Sequence, residues 1–237
     1  MYYQIAPEVF KKLPATCFGA VAVRGLDNSR TIPELEELLQ KNIRDCEAYF
    51  ADKKPKETAD ILPYREAFRA LGINPNKYLC SIEALLTRIA KGKGFPCINA
   101  AVDLGNAISI GHRLPIGAHD IDSLEGGLEV RPARPGDTFV AFGETEEESP
   151  DQGEIVYASG RQVRTRRWTW RQSERGKITR ETTAILYPID GFTDVNESEV
   201  RAATEEFVTL LRRFFGADVE IETGFVDRDH PRFDFFG

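Results

Sequence analysis

The stretch LGINPNKYLCSIEALLTRIAKGKGFPCINAAVDLGNAISIGHRLPIGAHDID, Leu71 to Asp122, carries the residue choices on which the fold turns. Glycines, prolines and carboxylates fall where an ordinary helix pair would want neither: KGKGFP at Lys91–Pro96, Asp103 with Asn106, and PIGAHDID at Pro115–Asp122. Such a pattern belongs to a shaped surface as well as to a core. Within it, Ile82, Leu85, Leu86 and Ile89 mark one face of a helix that ends before Gly92, and a shorter helix starting near Asn99 would hold Val102 and Ile108.

Upstream, Thr16–Val23 (TCFGAVAV) has the small and β-branched character of a strand packed tightly on both faces. Thr31 and Glu34 stand at capping-box spacing, Pro33 falls in the first turn, and Leu35, Leu38, Leu39, Ile43 and Cys46 recur at helical intervals, so a helix is predicted there. Another is expected over Pro63–Leu71, closed by Gly72. Downstream the chain turns to short β-type runs at Leu128–Arg131, Thr138–Phe142, Glu154–Ala158, Val163–Trp170 and Thr182–Tyr187. The acidic stretch Gly143–Glu154 has no core-forming residue and reads as a solvated loop. Asn196 and Glu199 cap a long helix with Val200, Ala203, Phe207, Leu210, Leu211 and Phe214 on one side, closed by Gly216; a last strand is expected over Val219–Val226. The sum is an α+β fold in which helices flank a mainly antiparallel sheet or barrel. No linker divides residues 1–237, so a single domain is expected.

Hydrophobic residues make up 41% of the chain and charged ones 29%, and no apolar run of bilayer length exists, so no membrane partner is expected. MYYQIAPEVFKKLP lacks a secretory pattern, which implies a cytoplasmic location. Four cysteines, at 17, 46, 80 and 97, stand too far apart for a CxxC pair and read as free buried thiols. The net charge of −7 exerts no general pull on a polyanion, so a local patch must carry any nucleic-acid binding.

No nucleophile elbow, zinc helix, Walker loop or dinucleotide fingerprint is present. No cofactor and no metal are expected. Among the three histidines, His119 lies beside Asp120 and near Asp122, where a carboxylate can orient an imidazole; a hydrolase centred on His119 and Asp122 is one possibility, a ring packed against backbone the other. Asp103 and Asn106 share one helix face and either position a water or ligand amine or simply solvate the helix. Lys91 and Lys93 alternate with glycines, which suits phosphate or a plain helix end. The sharper patch runs from Arg161 to Arg180, with eight Lys or Arg residues against Glu174 alone and both tryptophans, Trp168 and Trp170, inside it. Arginines clamp phosphate or carboxylate and indoles stack on bases, which is what RNA contact needs. The competing view is an edge strand guarded by charge, with its tryptophans turned inward.

VDLGNAISIGHRLPIGAHDIDSLEGG, Val102–Gly127, resembles without gaps the B3/B4 domain of the bacterial phenylalanyl-tRNA synthetase beta subunit, and the resemblance extends over about residues 64–188. Asp103, Asn106, Pro115, Ala118 and Asp120 match its pattern; NPNKY at Asn74, SIEALL at Ser81, KGKG at Lys91 and RRWTWRQS at Arg166 look like the standalone B3/B4-type proteins. The resemblance implies an α+β, tRNA-linked module that in the synthetase hydrolyses tyrosine wrongly attached to the phenylalanine tRNA. The family's Thr is replaced here by Gly105, its His by Gly117 and its distal Glu by Pro188, while His119 takes an aromatic position. The partner this implies is a tRNA or aminoacyl-tRNA 3′ end, with DNA excluded. His119, Asp120, Asn106 and Asp103 are the catalytic candidates. Lys91, Lys93, Gly105, Gly117, Arg166, Arg167, Trp168, Trp170 and Arg171 are the candidates for contact with substrate or RNA. The alternative is a non-catalytic pocket for a free amino acid or related small molecule.

Overall fold

A computed structural model spans residues Met1–Gly237. In chain order the elements are β1 (Tyr2–Ile5), α1 (Pro7–Lys12), β2 (Thr16–Arg24), α2 (Pro33–Tyr49), α3 (Leu62–Ala70), α4 (Ser81–Ala90), α5 (Ala100–His112), β3 (His119–Asp120), β4 (Gly127–Pro132), β5 (Phe139–Val140), β6 (Glu147–Glu148), β7 (Ile155–Ser159), β8 (Gln162–Arg166), β9 (Arg171–Gln172), β10 (Ala184–Phe192), α6 (Glu197–Phe215), β11 (Glu220–Val226) and β12 (Arg232–Asp234). One open sheet runs β12-β1-β4-β7-β8-β9, a second runs β11-β2-β10-β3, and β5 and β6 form a small hairpin. All neighbours are antiparallel except β1 with β4. The expected α+β class holds; the barrel alternative does not form, because each sheet keeps two free edges. No helix is long and apolar enough to cross a membrane.

Strand β2 shows how the layers are set. Side chains alternate across a strand, and here both sides are apolar. Phe18, Ala20 and Ala22 enter a core shared with Tyr3, Ile5 and Trp168, whereas Cys17, Val21 and Val23 enter a second core with α5 and α6. The four-stranded sheet is therefore the middle layer, with the six-stranded sheet and residues of α1–α4 in the core on one face and α5 and α6 in the core on the other. Gly19 is the point of closest approach to α6: a Cβ there would stand 2.5 Å from Thr204 Oγ1 and 3.1 Å from Val200 Cγ1.

Several local expectations meet a different chemistry. Neither Thr31 nor Asn196 caps a helix with its side chain; Asn196 Oδ1 instead accepts the Phe192 N–H at 2.8 Å. Asn99 does cap α5, accepting from Val102 N at 3.1 Å. The run Val163–Trp170 is not one strand: β8 stops at Arg166, and Arg167 and Trp168 take φ of 48° and 59° before β9. The four residues between Arg166 and Arg171 turn the chain through two successive left-handed residues, a conformation that costs energy outside glycine. Of the cysteines, Cys97 is exposed and the other three are buried.

What offsets that turn is the burial of Trp168, whose indole Nε1 donates to Asp190 Oδ1 at 2.6 Å. Tyr157 OH donates to the same oxygen at 2.6 Å, and Tyr64 OH donates to the Asp190 carbonyl at 2.9 Å. Asp190 is buried and takes neutral donors rather than a cation. Burial pushes its carboxyl up to about 7, against the lowering effect of the Tyr157 and Trp168 hydrogen bonds. The folded chain thus holds a proton that the unfolded chain releases near the ordinary value of 3.8, so this group's contribution is full at acid pH and is lost as pH rises through about 7. Asp190→Asn keeps an acceptor oxygen and removes the charge; thermal melts should show the variant matching the parent at pH 5 and melting higher at pH 8. A parent advantage that grows with pH would contradict this. Asp190→Ala strands two buried donors, at about 1–3 kcal/mol each, and should lower the melting point at both values.

Candidate functional site

Helix α5 is apolar on the side that packs on the middle sheet, but its other side carries only Val102, Gly105 and Asn106, residues too small or too polar to draw a covering layer. A cavity of about 910 Å³ remains there. Its far walls are Leu85 and Arg88 of α4, Phe95 and Pro96 beyond it, Ile116–Ala118, Phe142 and Gln172, and the segment Lys177–Arg180. A smaller chamber of about 110 Å³ adjoins it, sharing Ile98, Asn99 and Arg180. A third depression of about 930 Å³, between α2 and α6, is lined by charges of both signs.

The wall at Ile116–Ala118 is fastened to β10. Gly117 N donates to Pro188 O at 2.9 Å, Asp190 N donates to Pro115 O at 3.0 Å, and Gln172 Nε2 donates to Ala118 O at 2.8 Å. Gly105 stands beside Tyr187, whose ring is the nearest group to a notional Cβ at 3.5 Å. A Cβ on Gly117 would lie 3.1 Å from His119 Nε2 and 3.6 Å from Pro188 Cδ. Gly105 and Gly117 thus meet adjacent residues of β10, Tyr187 and Pro188, at the cavity wall.

Electrostatically the large cavity is one-sided. Arg88, Lys177 and Arg180 line it and no carboxylate does. Lys177 pairs with Glu174, which stands outside the lining; Arg88 donates only to the carbonyls of Gly94 and Lys93, at 2.7 and 3.3 Å. Asn106 makes no hydrogen bond with the protein, so its amide is free to donate to and accept from a guest.

The structure brings Gly105, Gly117 and Asn106 together and separates the other candidates from them. His119 is not on the cavity: it is buried behind Gly117, stacked on Tyr157 at 5.6 Å, and burial together with the nearby Arg164 charge lowers its pKa to about 3. It makes no hydrogen bond to Asp120 or Asp122. Asp120 is committed to Asp122 N and Thr182 Oγ1, at 3.0 and 2.9 Å. Asp103 is buried, accepts from Ile98 N at 2.9 Å, and faces the small chamber; burial raises its pKa, with the Ile98 N–H opposing and Glu36 adding to the rise. Lys91 and Lys93 are exposed on the loop after α4, outside the lining.

The arginine-rich patch is corrected more heavily. Trp168 is fully buried and bonded to Asp190, so no base can stack on it. Trp170 packs edge-on against Tyr78 at 4.8 Å, with Arg167 lying 4.1 Å over Tyr78 and 4.9 Å over Trp170. Arg166 is held by Glu154 and Glu148, Arg167 by Asp151, and Arg171 by Glu144. The acidic stretch taken for a solvated loop is their counter-charge. Sequence inspection missed Arg88, Phe142, Gln172 and Thr179 because each sits on a different element and only the fold assembles them; Lys177 and Arg180 were visible only as the tail of the basic run.

The B3/4 domain model matches residues 63–216, well over half of the chain, and the chain belongs to that family. No curated protein matches it. Among solved structures, an N-terminal fragment of the phenylalanyl-tRNA synthetase beta subunit from Pyrococcus horikoshii is similar, with 13% identity, a TM-score of 0.48 and 92% of this chain covered; the chain spans about half of that fragment, 49%.

Gly105 sits inside a helix, where glycine is less favourable than alanine by about 0.5–1 kcal/mol, and nothing lies within 3.4 Å of an added methyl group. Gly105→Ala should therefore raise the melting temperature by about 1–3 °C. A fall would show that Tyr187 already closes this space.

Proposed function

We propose that this protein takes the aminoacyl 3′ end of a tRNA in the cavity between α5 and Lys177–Arg180. The observation that carries the proposal is the lining itself: apolar walls, a free Asn106 amide, three cations and no carboxylate, in about 910 Å³. Pockets of roughly 300–1,000 Å³ enclose drug-sized molecules. An aminoacyl adenosine is of that size; a free amino acid leaves most of the space empty. Apolar walls suit the amino-acid side chain, and Arg88 and Arg180 suit the phosphate that follows the terminal nucleoside.

The chemistry open to these residues is limited. Hydrolysis of an aminoacyl ester needs a held water and a held ester more than a strong base. Asn106 is the side chain placed to orient that water or the α-amino group. A neutral, buried His119 and the committed Asp103 and Asp120 take no part, which makes recognition the main task and deacylation a property of the guest's own lability once Asn106 holds a water beside it.

Binding of tRNA charged with phenylalanine or tyrosine should exceed binding of the same tRNA uncharged. Gly105→Leu, which fills the cavity, should abolish that preference while leaving the uncharged tRNA bound as before. Equal binding of charged and uncharged tRNA by the parent would overturn the proposal, as would a thermal shift with free amino acids and none with tRNA. Where a panel of mischarged tRNAs shows deacylation above buffer, Asn106→Ala should slow it by about tenfold, the scale of one lost hydrogen bond, and His119→Ala should leave it unchanged. Loss of turnover in His119→Ala with the fold intact would restore that residue as catalytic.

A further inference from the structure

Two sets of cations, among the 31 lysines and arginines of the chain, bear on contact with a polyanion. Four arginines of the basic run each meet a carboxylate of the segment 144–154: Arg166 pairs with Glu154 and Glu148, Arg167 with Asp151, Arg171 with Glu144 and Arg175 with Glu147. The second set has no such partner. Arg88 is exposed and turned onto the carbonyls of Lys93 and Gly94, which holds the KGKG loop folded against α4; Lys91 and Lys93 stand exposed on that loop; Arg180 is exposed where the two cavities meet. None of these four lies within ion-pair distance of a carboxylate, in a chain of net charge −7.

Resting on the aminoacyl-end proposal above, we infer that RNA phosphates reach the cavity along the edge formed by Arg88, Lys91, Lys93 and Arg180, and that the arginine-rich hairpin, for all its density of charge, takes none. Phosphate binding by a protein is driven by release of counterions from the nucleic acid, one for each phosphate neutralised. An arginine already neutralised by its own chain contributes little unless its carboxylate is first expelled, and expulsion leaves a negative charge beside the RNA. Arg166 and Glu154 are both buried, so that pair is a fixed part of the fold. Arg88 and Arg180 line a cavity that has no carboxylate, and the loop of Lys91 and Lys93 is tied to Arg88 through the Lys93 and Gly94 carbonyls, so these cations have no such cost.

Binding of uncharged tRNA to the full chain, measured by fluorescence anisotropy across a salt series, tests the inference. Lys91→Gln with Lys93→Gln, and separately Arg180→Gln, should weaken binding and flatten the slope of log affinity against log salt by about 0.7–0.9 for each contact removed. The pair deletion Arg171→Gln with Glu144→Gln preserves net charge and should leave the slope as it was. Lys11→Gln with Lys12→Gln, on α1, changes net charge equally and controls for a merely general effect. Binding by the parent with an unchanged slope in the Lys91, Lys93 and Arg180 variants, or a flattened one in the pair deletion, overturns the inference while sparing the aminoacyl-end proposal. Absence of any binding by the parent at low salt removes both.

Discussion

A single buried carboxylate, that of Asp190, is the constraint on which the rest of the molecule depends. It belongs to β10, at the centre of the middle layer, and it accepts from Tyr157 of the six-stranded sheet and from Trp168 at the β8–β9 turn. Its own backbone binds Tyr64 of α3 and Pro115. Two sheets, a helix and the loop that walls the cavity therefore meet at one residue. A carboxylate so placed is costly, since burial favours its protonated form. Its two short hydrogen bonds give it definite partners. One of them holds the Trp168 indole inward at a left-handed turn, while the backbone N–H of Asp190 binds Pro115 O and so fixes the loop at Pro115–Gly117 along β10.

The position of that loop creates the site. With Pro115, Ile116 and Gly117 fastened along Pro188–Asp190, the space above α5 is bounded on one side by backbone rather than by long side chains. Gly105 and Gly117 both line it and bring no side chain into it. Charge completes the arrangement. The acidic segment 144–154 pairs with Arg166, Arg167, Arg171 and Arg175, so these four arginines of the basic run are matched by charge, while Arg88 and Arg180 at the cavity have no carboxylate partner.

Much of this was legible from local patterns. The apolar alternation of Thr16–Val23 belongs to a strand buried on both faces, and it is one. The spacing in α2, the helix start near Asn99 and the final helix held within a residue or two. The oddity of Gly105, Asn106 and Gly117 marked a cavity that exists. What failed depended on distant partners. Trp168 and the arginines beside it look like an RNA surface until Asp190, 22 positions away, and the acidic loop are brought against them. The run expected over Thr182–Tyr187 is longer as a strand, Ala184–Phe192; it passes through Pro188, which lacks an N–H to donate, because its neighbour Gly117 uses only the Pro188 carbonyl. His119 and Asp120 are adjacent in sequence, yet β3 sends their side chains to opposite sides of the sheet, so the pair never forms.

The central claim, that the cavity over α5 receives an aminoacylated 3′ end, is tested most directly by a crystal structure of the protein with a non-hydrolysable 3′-aminoacylamino adenosine carrying phenylalanine or tyrosine. The amino-acid side chain should lie between Gly105 and Gly117, with Asn106 within hydrogen-bond distance of the amino or linking group and the nucleoside toward Arg180. Ligand bound instead along the Arg166–Trp170 hairpin, or no binding at concentrations that saturate a tRNA-charged complex, would contradict it.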